Sequence, residues 1–265
     1  MKNVISISNQ KGGVGKTTSA VSLSSALAEL SYKTLLIDFD PQCNATSGLQ
    51  VEFNEEGEDL YDMFFKRVSL KNVIKETKVK NLMLAPSSKD LISIEAELGR
   101  TAGRELILRS ELSILSDNYD FVIIDCPPSS GLLTLNALGA SDYVIVPLQA
   151  EYYALEGISG LLSTLEFVKS TYNSNLELLG VFLTMFDNRT NLSKQVQEEA
   201  NNFFDEKLFN TIIPRNIKLS EAPSHGLPIS MYAPDSIGAK KYDELAREIL
   251  LKIRDEDNLK NVANL

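Results

Sequence analysis

A glycine-rich segment near the amino end of the chain limits the possible folds more than any other feature. The apolar run from Val4 to Ile7 predicts a buried strand, and residues 19–30 place apolar side chains at helical spacing. Between the two lies the segment Asn9-Gln10-Lys11-Gly12-Gly13-Val14-Gly15-Lys16-Thr17-Thr18. A strand, a glycine-rich turn and a helix, in that order, form the context that a phosphate-binding loop requires.

The residue types in this segment suit an anion. Its glycines let the backbone approach a phosphate closely. The free N–H groups of the loop and of the helix start then point at phosphate oxygens, and the helix dipole adds positive potential. Lys16 supplies a charge for the terminal phosphates, and the Thr17 hydroxyl can ligate Mg²⁺.

The segment departs from the usual G-x-x-x-x-G-K-[ST] pattern at its start. Gln10 stands where the first glycine is expected, and Lys11 adds a second lysine. The string Lys-Gly-Gly-x-Gly-Lys-Thr resembles the deviant Walker A motif of the ParA/MinD family of dimeric ATPases. That resemblance implies that Lys11 reaches across a dimer to the partner's nucleotide. It also implies that ATP is bound by Lys11, Gly12, Gly13, Val14, Gly15, Lys16, Thr17 and Thr18.

Acidic residues end two further predicted strands. Residues 33–40 end in Asp38 and Asp40, which share a face if the strand persists, so both could face a nucleotide. The string from Asp38 to Asn44 resembles the family's switch I, which implies that Asp40 orients the attacking water. The run Phe121–Asp125 resembles a Walker B strand, and there Asp125 is placed to hold Mg²⁺ together with Thr17.

Strands alternate with helices along the rest of the chain, which predicts an α/β fold with a doubly wound, mostly parallel sheet in one domain spanning residues 1–265. We predict further strands at 81–85, 142–148, 178–185 and 211–214. We predict helices at 60–65, 92–115, 132–138, 153–172, 192–204 (capped by Asn191) and 242–253. A turn is expected at 44–48, an exposed loop at 51–59 and a frayed tail at 255–265.

Composition indicates a soluble globular protein. No apolar run approaches the ~20 residues of a membrane helix, and a strand begins at once, so we expect no signal peptide. Cys43 and Cys126 lack metal-ligand spacing and indicate reduced thiols in the cytoplasm. The net charge of −10 argues mildly against nucleic-acid binding by the chain as a whole, without excluding a local basic patch.

The chain resembles ParA/Soj-type chromosome and plasmid partition ATPases over nearly its whole length. The long string from Ile213 to Gly226 is a specific part of that resemblance, and in it Pro214 and Asn216 are expected to flank the adenine. The resemblance implies that ATP and Mg²⁺ close a homodimer, that the dimer binds DNA non-specifically at the nucleoid, and that a ParB-like partner stimulates hydrolysis. Candidate DNA contacts are Arg189, Arg215, Lys218, Lys240 and Lys241.

Three other functions share parts of this pattern. A MinD-like membrane switch needs a basic amphipathic helix at its end, whereas residues 255–265 are acidic to neutral, so we expect no membrane partner. An iron–sulfur reductase needs paired cysteines that Cys43 and Cys126 do not match. A biosynthetic ATP-dependent ligase needs a substrate pocket that no motif indicates. His225, the single histidine, is expected to be structural.

Overall fold

One sheet contains every strand in the part of the chain that the computed structural model describes, which is residues 3–51, 59–65, 67–115, 118–151 and 156–263. The strands are β1 (Asn3–Ile7), β2 (Thr34–Asp38), β3 (Lys75–Glu76), β4 (Leu82–Ala85), β5 (Phe121–Asp125), β6 (Tyr143–Gln149) and β7 (Glu177–Thr184). Their order in the sheet is β3-β4-β2-β5-β1-β6-β7. The short β3 is antiparallel to β4, and the other pairs are parallel, so the predicted fold class is confirmed.

Helices cover the two faces of the sheet. The α-helices are α1 (Lys16–Glu29), α2 (Asn44–Gly48), α3 (Leu60–Phe64), α4 (Leu70–Val73), α5 (Ile94–Leu98), α6 (Ile107–Ile114), α7 (Leu132–Ala140), α8 (Glu156–Thr171), α9 (Asn191–Phe204), α10 (Ile217–Glu221), α11 (Ile229–Tyr232) and α12 (Ile237–Ala263). Short 3-10 helices occupy Lys89–Ser93, Arg104–Leu106, Asp205–Lys207 and Ala222–His225.

The central strand β5 shows how the core is divided. Phe121 and Ile123 pack on one face with residues of α1 and α12, and Val122 and Ile124 pack on the other with residues of α3, α6 and α7. A parallel strand covered on both faces is continuously apolar, as this one is. Asp125 pairs in register with Ile7 of β1 and with Asp38 of β2. The carboxyl ends of these three strands therefore meet at one edge of the sheet.

The predicted turn at 44–48 is wrong, because these residues form α2. Cys43 takes a left-handed conformation with φ of 55° and redirects the chain after β2. Thr46 of α2 then donates from its backbone N and from Oγ1 to Asp38 Oδ2, at 2.8 and 2.7 Å. A carboxylate of the preceding strand thus stabilises a helix that local turn chemistry does not predict.

The predicted long helix at 92–115 is also wrong. Gly99 and Gly103 have φ angles of 47° and 76°, and they separate α5 from a 3-10 turn and α6. Glycine is the residue type that adopts such angles without a steric penalty. The apolar spacing on both sides of the break continued well enough to conceal it.

Smaller corrections concern the second half of the chain. Thr190, not Asn191, is the N-cap of α9, and its side chain accepts from the backbone N of Ser193. Residues 211–214 form no ladder, and Pro214 makes only an isolated bridge to Phe186. The last helix runs from 237 to 263, so the helix predicted at 242–253 is too short at both ends. Residues 255–263, which were predicted to be frayed, are helical. Most of the predicted exposed loop, residues 52–58, and the start of the predicted helix at 153 lie outside the described residues.

Candidate functional site

The loop between β1 and α1 has the backbone conformation that an anion cradle needs. Gly13 and Gly15 adopt left-handed φ angles of 75° and 89°, and Gly15 is the N-cap of α1. No side chain caps this end of the helix, so its first N–H groups are left for a ligand. The 14-residue helix directs the positive end of its dipole to the same point.

Neighbouring strands hold the loop in place from behind. The Asn9 side chain donates to the carbonyl of Pro147 in β6 at 2.8 Å and accepts from the backbone N of Lys11 at 3.0 Å. Thr184, at the end of β7, donates to the carbonyl of Val14 at 2.9 Å. The cradle is therefore built into the edge of the sheet before any ligand arrives.

Gln10 explains the departure from the usual motif. Its Nε2 donates to Ser130 Oγ at 2.7 Å, in the loop after β5, and to Thr164 of α8 at 3.2 Å. A Cβ at Gly160 would lie 2.5 Å from Gln10 Oε1, so the glycine in α8 leaves room for the Gln10 side chain. Gln10 therefore links the phosphate loop to the segment after β5, a role that sequence reasoning missed.

The two lysines of the loop point in different directions. Lys16 is 6% exposed, and its Nζ donates to the carbonyl of Lys11 at 2.9 Å, inside the loop. Burial lowers the pKa of Lys16, and the nearby charges of Asp125, Cys126 and Asp40 oppose this shift. The Lys11 ammonium instead lies 3.4 Å from Glu151 Oε2, outside the loop. The Lys16 ammonium therefore lies within its own loop, whereas the Lys11 ammonium is paired with a residue that follows β6.

Asp125 is a carboxylate that accepts no hydrogen bond from the residues that the structure describes. Both of its oxygens are fully buried, and burial together with the charge of Asp38 raises its pKa well above the usual value. The Thr17 hydroxyl lies near Asp125 and opposes this rise in pKa, although the two groups do not have the geometry of a hydrogen bond. A cation between Thr17 and Asp125 would satisfy both groups.

This donor set fits Mg²⁺ bound together with phosphate. No cluster of three or more His, Cys, Asp or Glu side chains in the described ranges is arranged to hold a metal alone. Mg²⁺ at phosphate sites takes one or two protein oxygens, and phosphate and water complete its octahedral shell. Thr17 and Asp125 are therefore sufficient as the protein's contribution.

Asp38 and Asp40 have different surroundings. Asp38 is fully buried and is held by Thr46, and burial raises its pKa to about 6. Its carboxylate is therefore directed to α2 and not to open space. Asp40 is 7% exposed, and its Oδ1 accepts from the backbone N of Gln42 at 2.9 Å. Asp40 follows the carboxyl end of β2, at the same edge of the sheet as the phosphate loop, and its charge opposes the lowering of the Lys16 pKa.

Two cavities adjoin the start of α1. The smaller, of about 190 Å³, is lined by Gly15, Met185, Pro214 and Asn216 among others, so both predicted adenine contacts lie beside the loop. The Asn216 side chain also caps α10 by accepting from the backbone N of Lys218 at 2.8 Å. The larger, of about 470 Å³, lies between α1, α2 and residues 219–229, and its lining among the described residues includes no lysine, arginine or acidic side chain.

The five predicted DNA contacts come from three neighbouring segments. Arg189 binds Asp187 at 2.7 Å, and hydrogen bonds from Arg189, with a smaller contribution from the charge of Arg215, lower the pKa of Asp187 to about 2. Gly238, at the start of α12, packs against Leu219 of α10, so Lys240 and Lys241 lie on the helix next to the one that carries Lys218. Ion pairs join Lys218 to Glu221 and Lys241 to Glu244.

Cys126 and His225 occupy structural positions. Cys126 is fully buried, and burial raises the pKa of its thiol to about 12, which makes it a poor nucleophile. The His225 ring stacks on Tyr232 with the ring centres 4.6 Å apart.

Comparison with known proteins gives concordant results. Residues 2–178 match a protein-family model described as an AAA domain. The chain is 50% identical to the sporulation initiation inhibitor protein Soj of Bacillus subtilis (strain 168) over 249 residues, which cover 94% of this chain and 98% of that protein. It is also 50% identical to the chromosome-partitioning ATPase Soj of Treponema pallidum (strain Nichols), with 92% and 95% covered.

A similar solved structure is that of cobyrinic acid a,c-diamide synthase from Mycobacterium smegmatis with bound ATP analog and magnesium. The TM-score is 0.85 at 35% identity, and 94% of each chain is covered.

The parallel sheet, the glycine-rich loop at the start of α1 and the acid that ends β5 define a P-loop ATPase. Within that class, the sequence comparisons are specific. The chain belongs to the Soj/ParA family of chromosome-partitioning ATPases.

Proposed function

We propose that this protein is an ATP-driven DNA-partition switch. Mg²⁺ and ATP bind at the loop and let two protomers close face to face. The closed dimer binds DNA non-specifically, so it resides on the nucleoid. A centromere-binding partner of the ParB type stimulates hydrolysis, and the dimer then separates and leaves the DNA.

The different directions of Lys11 and Lys16 carry this proposal. Lys16 already serves the protomer's own loop through its bond to the Lys11 carbonyl. The Lys11 ammonium lies outside that loop, paired with a Glu151 side chain that is 48% exposed. An exposed ion pair contributes about 0–1 kcal/mol, so a partner's phosphates can displace Glu151 at little cost. This arrangement supports a lysine that acts on a second protomer.

Each residue then has a defined task in hydrolysis. Backbone N–H groups of the loop and Lys16 hold the phosphates, and Thr17 and Asp125 hold Mg²⁺, which neutralises charge on the transferring group. Asp40 orients the attacking water. Lys11 of the partner protomer stabilises the charge of the transition state; cations supplied across an interface in this way are worth roughly 10³–10⁵ in rate in other nucleotidases.

The basic residues on three neighbouring segments support the DNA step. Three of them are paired with acids in this structure, so DNA phosphates must displace those acids before binding. Two-fold symmetry doubles the patch. If three basic residues per protomer contact phosphate, about six charges are neutralised, and log K falls against log salt with a slope near −5.

No helix in the described part of the chain is long and apolar enough to cross a membrane. The ligase alternative receives less support. A ligase acting on an organic acid uses cations to bind that acid, and among the described residues no lysine or arginine lines the larger cavity beside α1.

The test is binding of duplex DNA by Asp40→Ala protein, which should hold ATP without hydrolysing it. We expect retention with ATP and Mg²⁺, none with ADP, and the salt slope above. Charge removal at Arg189, whose side chain is 87% exposed, should weaken binding to all sequences about equally. The proposal is contradicted if binding is equal with the two nucleotides or is insensitive to salt.

A further inference from the structure

A chain of buried hydrogen bonds joins the loop after β2 to the segment after β4. The Thr46 hydroxyl donates to Asp38 Oδ2 at 2.7 Å and accepts from the backbone N of Ser87 at 2.9 Å. The Ser87 hydroxyl in turn donates to the backbone carbonyl of Asp40 at 2.6 Å. Asp38, Thr46 and Ser87 are 0%, 3% and 1% exposed. Water therefore has no access with which to replace these bonds.

Ser87 holds Asp40 relative to the sheet. The Asp40 carbonyl also accepts from the backbone N of Cys43 at 2.9 Å, but that bond is local and moves with the turn. Ser87 follows β4, and the last residue of β4, Ala85, is in register with Ile37 of β2. The Ser87 bond therefore fixes the turn to an adjacent strand.

The backbone of Asp40 is thereby held on both sides. Its N–H donates to Asp38 Oδ1 at 3.3 Å, and its carbonyl accepts from Ser87. Asp38 itself is fixed by Thr46, which Ser87 contacts through its own N–H. With the backbone and Oδ1 fixed, the carboxylate of Asp40 has a defined direction at the edge of the phosphate loop.

We propose that Ser87 is a positioning residue for ATP hydrolysis and that it acts through Asp40 without contacting nucleotide or water. This inference rests on the proposed function, in which Asp40 orients the attacking water. A displacement of about 1 Å in a group that orients a reactant can cost about 100-fold in rate. Loss of the Ser87 hydroxyl should therefore slow the chemical step while leaving nucleotide binding intact.

The test is steady-state ATP hydrolysis by Ser87→Ala, with Ser88→Ala as the matched control. The Ser88 hydroxyl accepts from the backbone N of Asp90 at 3.3 Å, as the N-cap of the 3-10 helix Lys89–Ser93. We expect kcat of Ser87→Ala to fall about ten-fold, the size of one lost buried hydrogen bond, with KM and Kd for ATP unchanged within about two-fold. Ser88→Ala should keep the parental values.

A second pair of variants tests the same network at Thr46. Thr46→Val keeps the shape and removes the hydroxyl, so kcat should fall as in Ser87→Ala. Thr46→Ser keeps the hydroxyl and should recover most of that loss. The positioning role is wrong if Ser87→Ala and Ser88→Ala both retain full kcat, or if the loss in Ser87→Ala appears in KM instead of kcat. It is also wrong if Thr46→Ser is as slow as Thr46→Val.

Asp40→Ala separates this inference from the proposed function. If parental protein hydrolyses ATP and Asp40→Ala does not, the proposed role of Asp40 stands, and full kcat in Ser87→Ala overturns only the role of Ser87. If Asp40→Ala hydrolyses ATP normally, the role of Asp40 fails and the role of Ser87 fails with it.

Discussion

Asp125 is the group whose charge is least compatible with the nucleotide-free protein. It is fully buried, both oxygens lack partners, and Asp38 lies beside it in register. We predict that Asp125→Asn stabilises the nucleotide-free protein and removes its stabilisation by ATP and Mg²⁺. A change that improves the fold should thus abolish the ligand response, because the carboxylate is retained for a cation and not for folding.

The size of the effect follows from the burial. Leaving a buried polar group unsatisfied costs about 1–3 kcal/mol, and a charged group costs more. The Asn side chain is still a buried polar group, so the variant should recover only the additional cost of the charge. For a domain of this size, about 1 kcal/mol corresponds to roughly 2–4 °C in melting temperature. We therefore expect a rise of several degrees at neutral pH. In the parent, saturating nucleotide at about 100 times its Kd adds about 2.7 kcal/mol, which the variant should lose.

The pH dependence has a defined sign. Burial raises the pKa of Asp125 well above 3.8, so between that value and its raised pKa the folded protein binds more protons than the unfolded chain. The free energy of unfolding therefore falls as pH rises through this window. Asp38, with its pKa raised to about 6, contributes a similar fall between about pH 4 and 6. In Asp125→Asn only the part from Asp38 should remain.

The assay is thermal unfolding from pH 5 to 8, with and without ATP and Mg²⁺. Asp120→Asn is the matched control, because Asp120 precedes the same strand at its opposite end, is exposed, and accepts from the backbone N of Lys33 at 2.7 Å. It should lose a little stability and keep the ligand response. A lower melting temperature for nucleotide-free Asp125→Asn, or an intact response to ATP and Mg²⁺, would refute the reasoning.

Two further predictions concern the loop and the thiols. Gly13→Ala should lower the free energy of unfolding by about 1–2 kcal/mol in urea titrations, because Gly13 has a φ of 75°. Gly12→Ala is the control and should be near neutral, since Gly12 has no such angle and a Cβ there would meet nothing within 4 Å. Equal losses in the two variants would refute this prediction. A thiol reagent at pH 8 should modify the half-buried Cys43 in the folded protein. It should modify the buried Cys126, whose pKa is about 12, only after unfolding. Rapid modification of both thiols in the folded protein would contradict this prediction.

Local patterns were sufficient where one segment determines its own structure. The run Phe121–Asp125 forms a strand with the predicted bounds because a continuously apolar segment ended by an acid has few other structures in an α/β chain. The strand, glycine loop and helix that contain Lys16 were likewise predictable. The glycines there require a tight turn, and the helix follows at once.

Tertiary contacts decided the features that the sequence analysis missed. Helix α2 depends on Asp38, eight residues before Thr46. The break in the predicted long helix is local instead, and apolar spacing that continues across Gly99 and Gly103 concealed it. Gln10 meets Ser130 across 120 residues, and Ser87 meets Asp40 across 47. Such pairs leave no periodic signal in one sequence.

The most direct test of the central claim is the mass of the Asp40→Ala protein in solution, measured by sedimentation with ATP and Mg²⁺ and with ADP. The account predicts a dimer with ATP and a monomer with ADP. Adding Lys11→Ala to this background should return the ATP form to monomer, because the lysine that lies outside its own loop is proposed to bind the partner's phosphates. A monomer with both nucleotides, or an ATP dimer that Lys11→Ala leaves intact, would contradict the account.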